Sequence, residues 1–352
     1  MLIAVNIFAF IISIILTNKF YDWAFRQQLV DIPNSRSYHS SNVPSFGGII
    51  IGTTVLLVLV VITVVQEVNI NAWFLVAYLL ILAIGVLDDL MDIIPIQKII
   101  VEVFAGLILV WGSDLSINSL FGVLSITSFA EPWSTVLTVL FIITIVNAIN
   151  FIDGIDGLAG LFGLVAAIVY AVIFYQAQQM WLVIFSLTLT GALGGFLIFN
   201  FSHRKKIFMG DAGSLSLGFA LAFFALNAVN LQPFAPFTNP AEMLLLGISI
   251  LIVPLFDVLR LFFVRLFSGK SPFRADNNHI HHLFVRNLNC SHRRAAVIIV
   301  FINLMLTNST FWLLRFLDIN FSVLIYILIF IGYSIILKLL SKYPEKIIES
   351  VS

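Results

Sequence analysis

Residues 46–65 read Phe46-Gly-Gly-Ile-Ile-Ile-Gly-Thr-Thr-Val-Leu-Leu-Val-Leu-Val-Val-Ile-Thr-Val-Val65, a stretch without a single charge. At about 1.5 Å rise per residue such a segment is about 30 Å long as a helix, the thickness of a bilayer's hydrocarbon core. Similar runs recur at 2–20, 72–87, 98–112, 133–150, 157–175, 180–201, 213–231, 241–263, 295–314 and 322–340. Composition explains why lipid is the solvent: 61% of residues are hydrophobic and 10% charged, with a mean hydropathy of +1.08. A soluble domain carries about 25% charge. The expected fold is therefore all-α, a polytopic integral membrane protein with about eleven transmembrane helices.

Formal net charge is zero, which gives no footprint for nucleic acid. The single cysteine, Cys290, excludes internal disulfides and multi-thiolate metal sites. No Lys or Arg precedes the first apolar run, and no small-residue cleavage site follows it, so it reads as a retained helix with its N-terminus outside. The segments then predicted inside carry Arg26, Arg36, Lys98, Arg204, Lys205, Lys206, Lys270, Arg274, Arg286, Arg293 and Arg294. Only Arg315 falls outside. This asymmetry predicts N-out, C-in. Trp73, Trp111, Trp133, Trp181 and Trp312 fall near predicted outer span ends, as an interfacial aromatic belt does.

All six histidines, and Asp31, Asp88, Asp89, Asp153, Asp156, Asp211 and Asp276, fall on the predicted inner side. Carboxylates are costly at a helix centre, about 2.5–3.5 kcal/mol each on insertion scales. They are therefore expected at helix ends around one polar chamber. The domain expectation is one transmembrane transferase unit over 1–352, with active-site loops at 21–45, 88–98, 150–157, 202–213 and 264–294.

Five motifs feed that chamber. The first loop, Asp31-Ile-Pro-Asn-Ser-Arg36-Ser-Tyr-His39, leads to Gly47-Gly48 at a helix start. Arg36 and His39 are phosphate-gripping types, and a Gly-Gly pair lets backbone approach a ligand. Asp88 and Asp89 end an apolar helix, where negative charge is disfavoured, so a cation or a proton is needed nearby; Lys98, at the start of the next span, is the candidate partner charge or phosphate contact. Asn147-Ala-Ile-Asn150-Phe-Ile-Asp153-Gly-Ile-Asp156-Gly157 sets Asn150, Asp153 and Asp156 along one side if the helix continues. Hard oxygens without thiols suit Mg²⁺ or Mn²⁺. Phe208-Met-Gly210-Asp211-Ala-Gly213-Ser214 places Asp211 where it either caps a helix or binds metal. The last loop holds Arg274, Asp276, His279, His281 and His282. Its Lys270, Arg274 and Arg286 discourage a bound cation and favour a pyrophosphate.

In this order the motifs resemble the polyprenyl-phosphate N-acetylhexosamine-1-phosphate transferases, from Asp31 to about Arg294. The most specific are Asn-Ala-Ile-Asn-Phe-Ile-Asp-Gly-Ile-Asp-Gly-Leu and Met-Gly-Asp-Ala-Gly-Ser. His-Ile-His-His is similar to the GlcNAc branch, whereas the MurNAc-pentapeptide branch usually has three consecutive histidines. The resemblance implies transfer of a sugar-1-phosphate from a UDP-N-acetylhexosamine to undecaprenyl phosphate, releasing UMP, as the first membrane step of a cell-surface glycan such as O-antigen or lipopolysaccharide. It implies Mg²⁺ on Asp211 and Asn150, and Asp88, Asp89 and Asp153 at the reacting centre. Asp156, Asn200 and Phe208 would meet the uridine end. Arg36, His39, Lys98, Arg274, His279, His281 and His282 would meet phosphate or sugar. The family often has a basic residue after the proline of the first loop, where this chain has Ser45.

Asp88 stands as base or as positioner of metal or lipid phosphate. A phosphate monoester is already mostly dianionic at neutral pH (second pKa about 6), so a strong base is not required. The expected location is the inner membrane, with a cytoplasmic active site. The rivals are a phospho-MurNAc-pentapeptide transferase and a divalent-cation or anion transporter; the latter would place acids near the midplane between repeated halves. Sequence does not fix the sugar, the prenyl length, the polymer, or whether the chain acts as a homodimer.

Overall fold

The computed structural model describes residues 1–27, 30–31, 43–66, 70–91, 93–237, 239–269 and 278–342. The chain is all-α. Its helices are α1 (Leu2–Arg26), α2 (Gly47–Gln66), α3 (Ala72–Met91), α4 (Pro95–Ser113), α5 (Trp133–Ile152), α6 (Leu158–Gln176), α7 (Met180–Asn200), α8 (Gly210–Val229), α9 (Pro240–Ser249), α10 (Ile252–Phe267), α11 (Ile280–Asn287), α12 (His292–Phe316) and α13 (Ile319–Lys342). Among the described residues ten helices are long and apolar enough to cross a membrane. The two-residue strands β1 (Val30–Asp31) and β2 (Val43–Pro44) pair antiparallel.

Burial sorts the helices into centre and periphery. The most apolar window of α8 is 94% buried, against 11% for α13. Small residues along α8 make this central place available: where no water drives helices together, close backbone approach supplies the packing. A Cβ on Gly48 of α2 would sit 1.9 Å from the Gly213 nitrogen, and one on Gly85 of α3 would sit 2.5 Å from Ala212 Cα. Further along α8, Gly218 meets the backbone of Val146 on α5. The far half of the core is aromatic: Phe74, Phe185 and Phe223 are in mutual ring contact, and Phe224 packs on Phe185.

The expected single span 241–263 is a broken one. α9 and α10 meet at 77°. Asn239 and Glu242 form a capping box at the start of α9, and Pro254 cannot donate a backbone hydrogen bond within α10. The backbone groups freed at the break are taken up by α12. Asn303 Nδ2 donates to Ile250 O at 2.8 Å, its Oδ1 accepts from Val253 N at 3.1 Å, and Thr307 donates to Ser249 O at 3.0 Å. Unsatisfied backbone is too costly in hydrocarbon, so a broken span needs such polar neighbours.

The Gly47-Gly48 expectation is also corrected. The Gly47 and Gly48 amides donate to Phe208 O at 3.0 Å and Met209 O at 2.7 Å. The pair serves contact between α2 and the start of α8, and these amides are already spent.

Candidate active site

The acidic motifs converge where α3 ends and α4 and α8 begin. Lys98, in the first turn of α4, forms an ion pair with Asp88 and a second with Asp211 Oδ2 at 2.9 Å. Of the cation or proton that the Asp88-Asp89 pair called for, the structure supplies a cation at Asp88. Asn150 Nδ2 donates to Asp211 Oδ1 at 2.6 Å and to Ser214 Oγ at 2.8 Å. Asp88 Oδ1 also takes the amide of Ile93 at 2.8 Å, fixing the turn between α3 and α4.

Asp89 does something the sequence did not disclose. Its two oxygens accept the backbone amides of Asp211 at 2.7 Å and Ala212 at 3.0 Å. A helix start leaves its first N–H groups without partners, and here a carboxylate from α3 supplies them. Asp211 therefore does not cap α8; it lies within the first turn, preceded by Gly210 at φ +72.

The helix does not continue through Asp153 and Asp156, so the one-sided alignment with Asn150 is not observed. α5 stops at Ile152, and the chain turns through Gly157, at φ +79, into α6. The Asp153 carboxylate has no hydrogen-bond partner among the described residues; its backbone amide donates to Asn150 O at 3.2 Å. Burial first, then the charges of Asp211, Asp89 and Asp156, push its carboxyl up to about 8. The folded protein thus keeps a proton that the unfolded chain, at about 3.9, has already released. Stability from this group falls as pH rises from about 4 to 8. In metal-free protein the melting temperature is expected to drop between roughly pH 6 and 8.5, with a shallower slope for Asp153→Asn. Equal slopes would disprove the assignment.

Asp156 has the opposite environment. Burial would raise its carboxyl, but the His292 hydrogen bond at 3.3 Å and the Lys206 ion pair at 2.7 Å outweigh it and hold it low. Lys206 also lies 5.1 Å above the Phe208 ring, linking two residues expected at the uridine end. Asn200 is buried beneath that loop, bracing Ile207 O at 2.8 Å.

The histidine motif closes on the Asp153 turn. A Cβ on Gly154 would lie 2.2 Å from His281 Nε2. His279 packs on Phe151 at 5.5 Å, and His281 on His282 at 4.1 Å between ring centres. Burial, then the neighbouring His282 and His279, push His281 well below the usual histidine range, so it is neutral. Arg36, His39, Arg274 and Asp276 lie outside the described residues.

Four residues escaped the sequence reading: Glu102, Asn147, Asp257 and Arg260. Glu102 is fully buried and takes Asn147 Nδ2 at 2.6 Å. Asp257 and Arg260 are buried on α10. Three of the four are charged residues inside apolar runs, which is itself a signal of an internal partner.

The donor set suits a hard divalent cation. Asp88, Asp89, Asp153, Asp211 and Asn150 offer oxygens only, and the Asn150 carbonyl oxygen is left over after its amide binds Asp211. Among the described residues no three His, Cys, Asp or Glu side chains form a ready cage. Mg²⁺ in phosphate chemistry commonly uses one or two carboxylates, completing its shell with water and substrate oxygens, so these residues fit it. Leu87 and Gln97, the sequence neighbours of Asp88 and Lys98, line an apolar groove of about 630 Å³ with Ile84, Met91, Ile93, Ile94, Ile100 and Val101.

Comparison with known proteins follows the same outline. The glycosyl transferase family 4 profile matches residues 71–229, the segment holding Asp88, Lys98, Asn150 and Asp211. Over 280 residues the chain is 34% identical to the undecaprenyl-phosphate alpha-N-acetylglucosaminyl 1-phosphate transferase of Pasteurella multocida, covering 78% of this chain and 75% of that one. Identity to the enzyme of the same name in Haemophilus influenzae is 30% over 282 residues, 78% of this chain and 76% of the relative. A shorter match, 36% over 124 residues, covers 33% of this chain and 30% of the decaprenyl-phosphate N-acetylglucosaminephosphotransferase of Mycobacterium tuberculosis. With the motifs gathered at one end of a helical membrane bundle and relatives matched across three quarters of their length, the chain belongs to glycosyl transferase family 4, among the polyprenyl-phosphate N-acetylhexosamine-1-phosphate transferases.

Proposed function

We propose that the chain transfers an N-acetylhexosamine-1-phosphate, most simply GlcNAc-1-phosphate as in its named relatives, from a UDP-sugar to undecaprenyl phosphate, releasing UMP. The observation that carries the reading is Lys98, held between Asp88 and Asp211, with an apolar groove lined by the neighbouring residues Leu87 and Gln97. A cation beside an apolar groove fits an amphiphile with an anionic head. The surplus of basic residues in the loops on this side supports placing the active face in the cytoplasm and the protein in the inner membrane.

In the proposed reaction an oxygen of the lipid phosphate attacks the sugar-bearing phosphorus of the donor. A new P–O–P bond joins lipid and sugar phosphates, the old one breaks, and its electron pair leaves on UMP. Lys98 steers and partly neutralises the acceptor phosphate. Asp88 orients Lys98 and holds the α3–α4 turn, a positioning task; the acceptor, with a second pKa of about 6, needs little help to ionise. Asp89 fixes the start of α8 and so the place of Asp211. His279, His281 and His282 form the wall for the donor's sugar pyrophosphate, and Asp156, Lys206 and Phe208 the nucleotide end. Mg²⁺ held by Asp211 and Asn150 would supply the charge neutralisation that phosphoryl transfer requires.

The test is UMP formation by purified protein in detergent, with undecaprenyl phosphate, Mg²⁺ and a panel of UDP-GlcNAc, UDP-GalNAc and related sugars. Release requiring lipid and metal together is the expected result. Folded protein that releases no UMP with any sugar refutes the proposal.

A further inference from the structure

Behind the histidine cluster lies a buried polar network with no part in the chemistry so far. Asp257 and Arg260 stand one turn apart on α10, just past the break with α9. Arg260 Nη2 donates to Asp257 Oδ1 at 2.8 Å and to Asn278 O at 2.6 Å. Asp257 Oδ2 lies 2.8 Å from His279 Nδ1. The Ile280 amide reaches the two carboxylate oxygens at 3.2 and 3.3 Å, and Tyr333 of α13 donates to Oδ1 at 3.4 Å.

Two features set this apart from a plain structural ion pair. First, much of the network is directed at the segment Asn278, His279 and Ile280, which leads into α11. His279 occupies the N-cap position of α11 but makes no side-chain capping bond, and Asp257 takes the first amide in its place. Second, His281 is 1% exposed, and neither ring nitrogen has a partner among the described residues, although Nε2 faces the Gly154 turn. A buried imidazole without a protein partner calls for a water, an ion or a ligand at its nitrogens. Such a ring is held in place by its backbone, and that backbone starts on Asp257.

We propose that Asp257, supported by Arg260, is a positioning residue for the transfer reaction. It fixes the His279 ring through Nδ1 and the first turn of α11 through the Ile280 amide. In doing so it sets how His281 and His282 stand against the Asp153-Gly154 turn, where a sugar pyrophosphate would be held. The inference rests on the reaction proposed above. Its class of ligand is the anionic donor, not the lipid acceptor.

Asp257→Asn preserves size while removing the charge. The expected signature is a fall in kcat/KM for the UDP-sugar of about 10–100-fold, by analogy with the loss of a carboxylate that orients a metal-bound histidine. The loss should appear in KM for the UDP-sugar, with KM for undecaprenyl phosphate unchanged. The double variant with His279→Gln should be no worse than the poorer single variant, because both break one linkage. Diethyl pyrocarbonate modification of His281, read by mass spectrometry, should be faster in Asp257→Asn than in the parent. This last readout is independent of turnover, so a parent protein that releases no UMP refutes the transferase reading while the Asp257 linkage is still measured. If Asp257→Asn does not purify as a monodisperse protein, Asp257→Glu, which moves the carboxylate by one methylene, carries the same readouts. Unchanged donor KM with unchanged His281 modification overturns the proposal, as do losses that multiply in the double variant.

Discussion

Asp211→Asn is expected to lower UMP formation by about two to three orders of magnitude, the usual effect of deleting one preorganised electrostatic group, while leaving the protein folded. Asn keeps the shape of Asp and an oxygen that can still accept the 2.6 Å bond from Asn150. The backbone of the residue stays anchored, because its amide is bound by Asp89 and not by its own side chain. What disappears is one negative charge, and with it the 2.9 Å ion pair to Lys98. Lys98 would then be drawn towards Asp88 alone, and the oxygen set proposed for Mg²⁺ would lose its central anion. Single-turnover UMP release, with a melting curve in the same detergent, separates the two effects. Turnover within about threefold of the parent at saturating Mg²⁺ would remove Asp211 from the chemistry.

Gly48→Ala is expected to be the most damaging of the small substitutions. The added Cβ would meet three backbone atoms of α8: Gly213 N at 1.9 Å, Gly213 Cα at 2.4 Å and Ala212 C at 2.5 Å. No side chain is available to rotate away, so α2 and α8 must separate. Overpacking of a core typically costs about 1–3 kcal/mol, and a clash with backbone belongs at or beyond the upper end. The same displacement would move the first turn of α8, which carries Asp211. A large fall in melting temperature or in monodisperse yield is expected, with activity lost in any protein that remains. Gly332→Ala on α13 is the control, since nothing lies within 4 Å of its added Cβ. Equal melting temperatures for the two variants would show that the α2–α8 contact is not tight.

The expected tryptophan belt has a structural counterpart. Trp73, Trp133 and Trp181 begin α3, α5 and α7, and Trp111 and Trp312 fall near the ends of α4 and α12. The acidic cluster gathers at the opposite ends of α3, α4, α5 and α8, and the histidines before α12. That arrangement was legible because an interfacial residue and a buried carboxylate each report the local solvent, which hydropathy reads directly. Lys98 as a candidate partner of Asp88 was likewise readable, since two adjacent carboxylates at a helix end call for a cation or a proton and α4 offers a cation ten residues on.

Residue type and local pattern by themselves determined the helical membrane class, nearly every span, and the acidic residues Asp88, Asp89 and Asp211 that meet near Lys98. They could do so because a bilayer forces the backbone to satisfy itself within each segment, so each span is written in its own stretch of sequence. Tertiary structure alone decided the rest. Asp89 caps a helix that starts more than a hundred residues later, Asp257 holds a histidine beyond its own helix, and Asn303 of α12 stitches the break between α9 and α10. Each of these is a hydrogen bond between groups far apart in the chain, whose value depends on burial and on the partner's position. Neither quantity exists until the helices have packed.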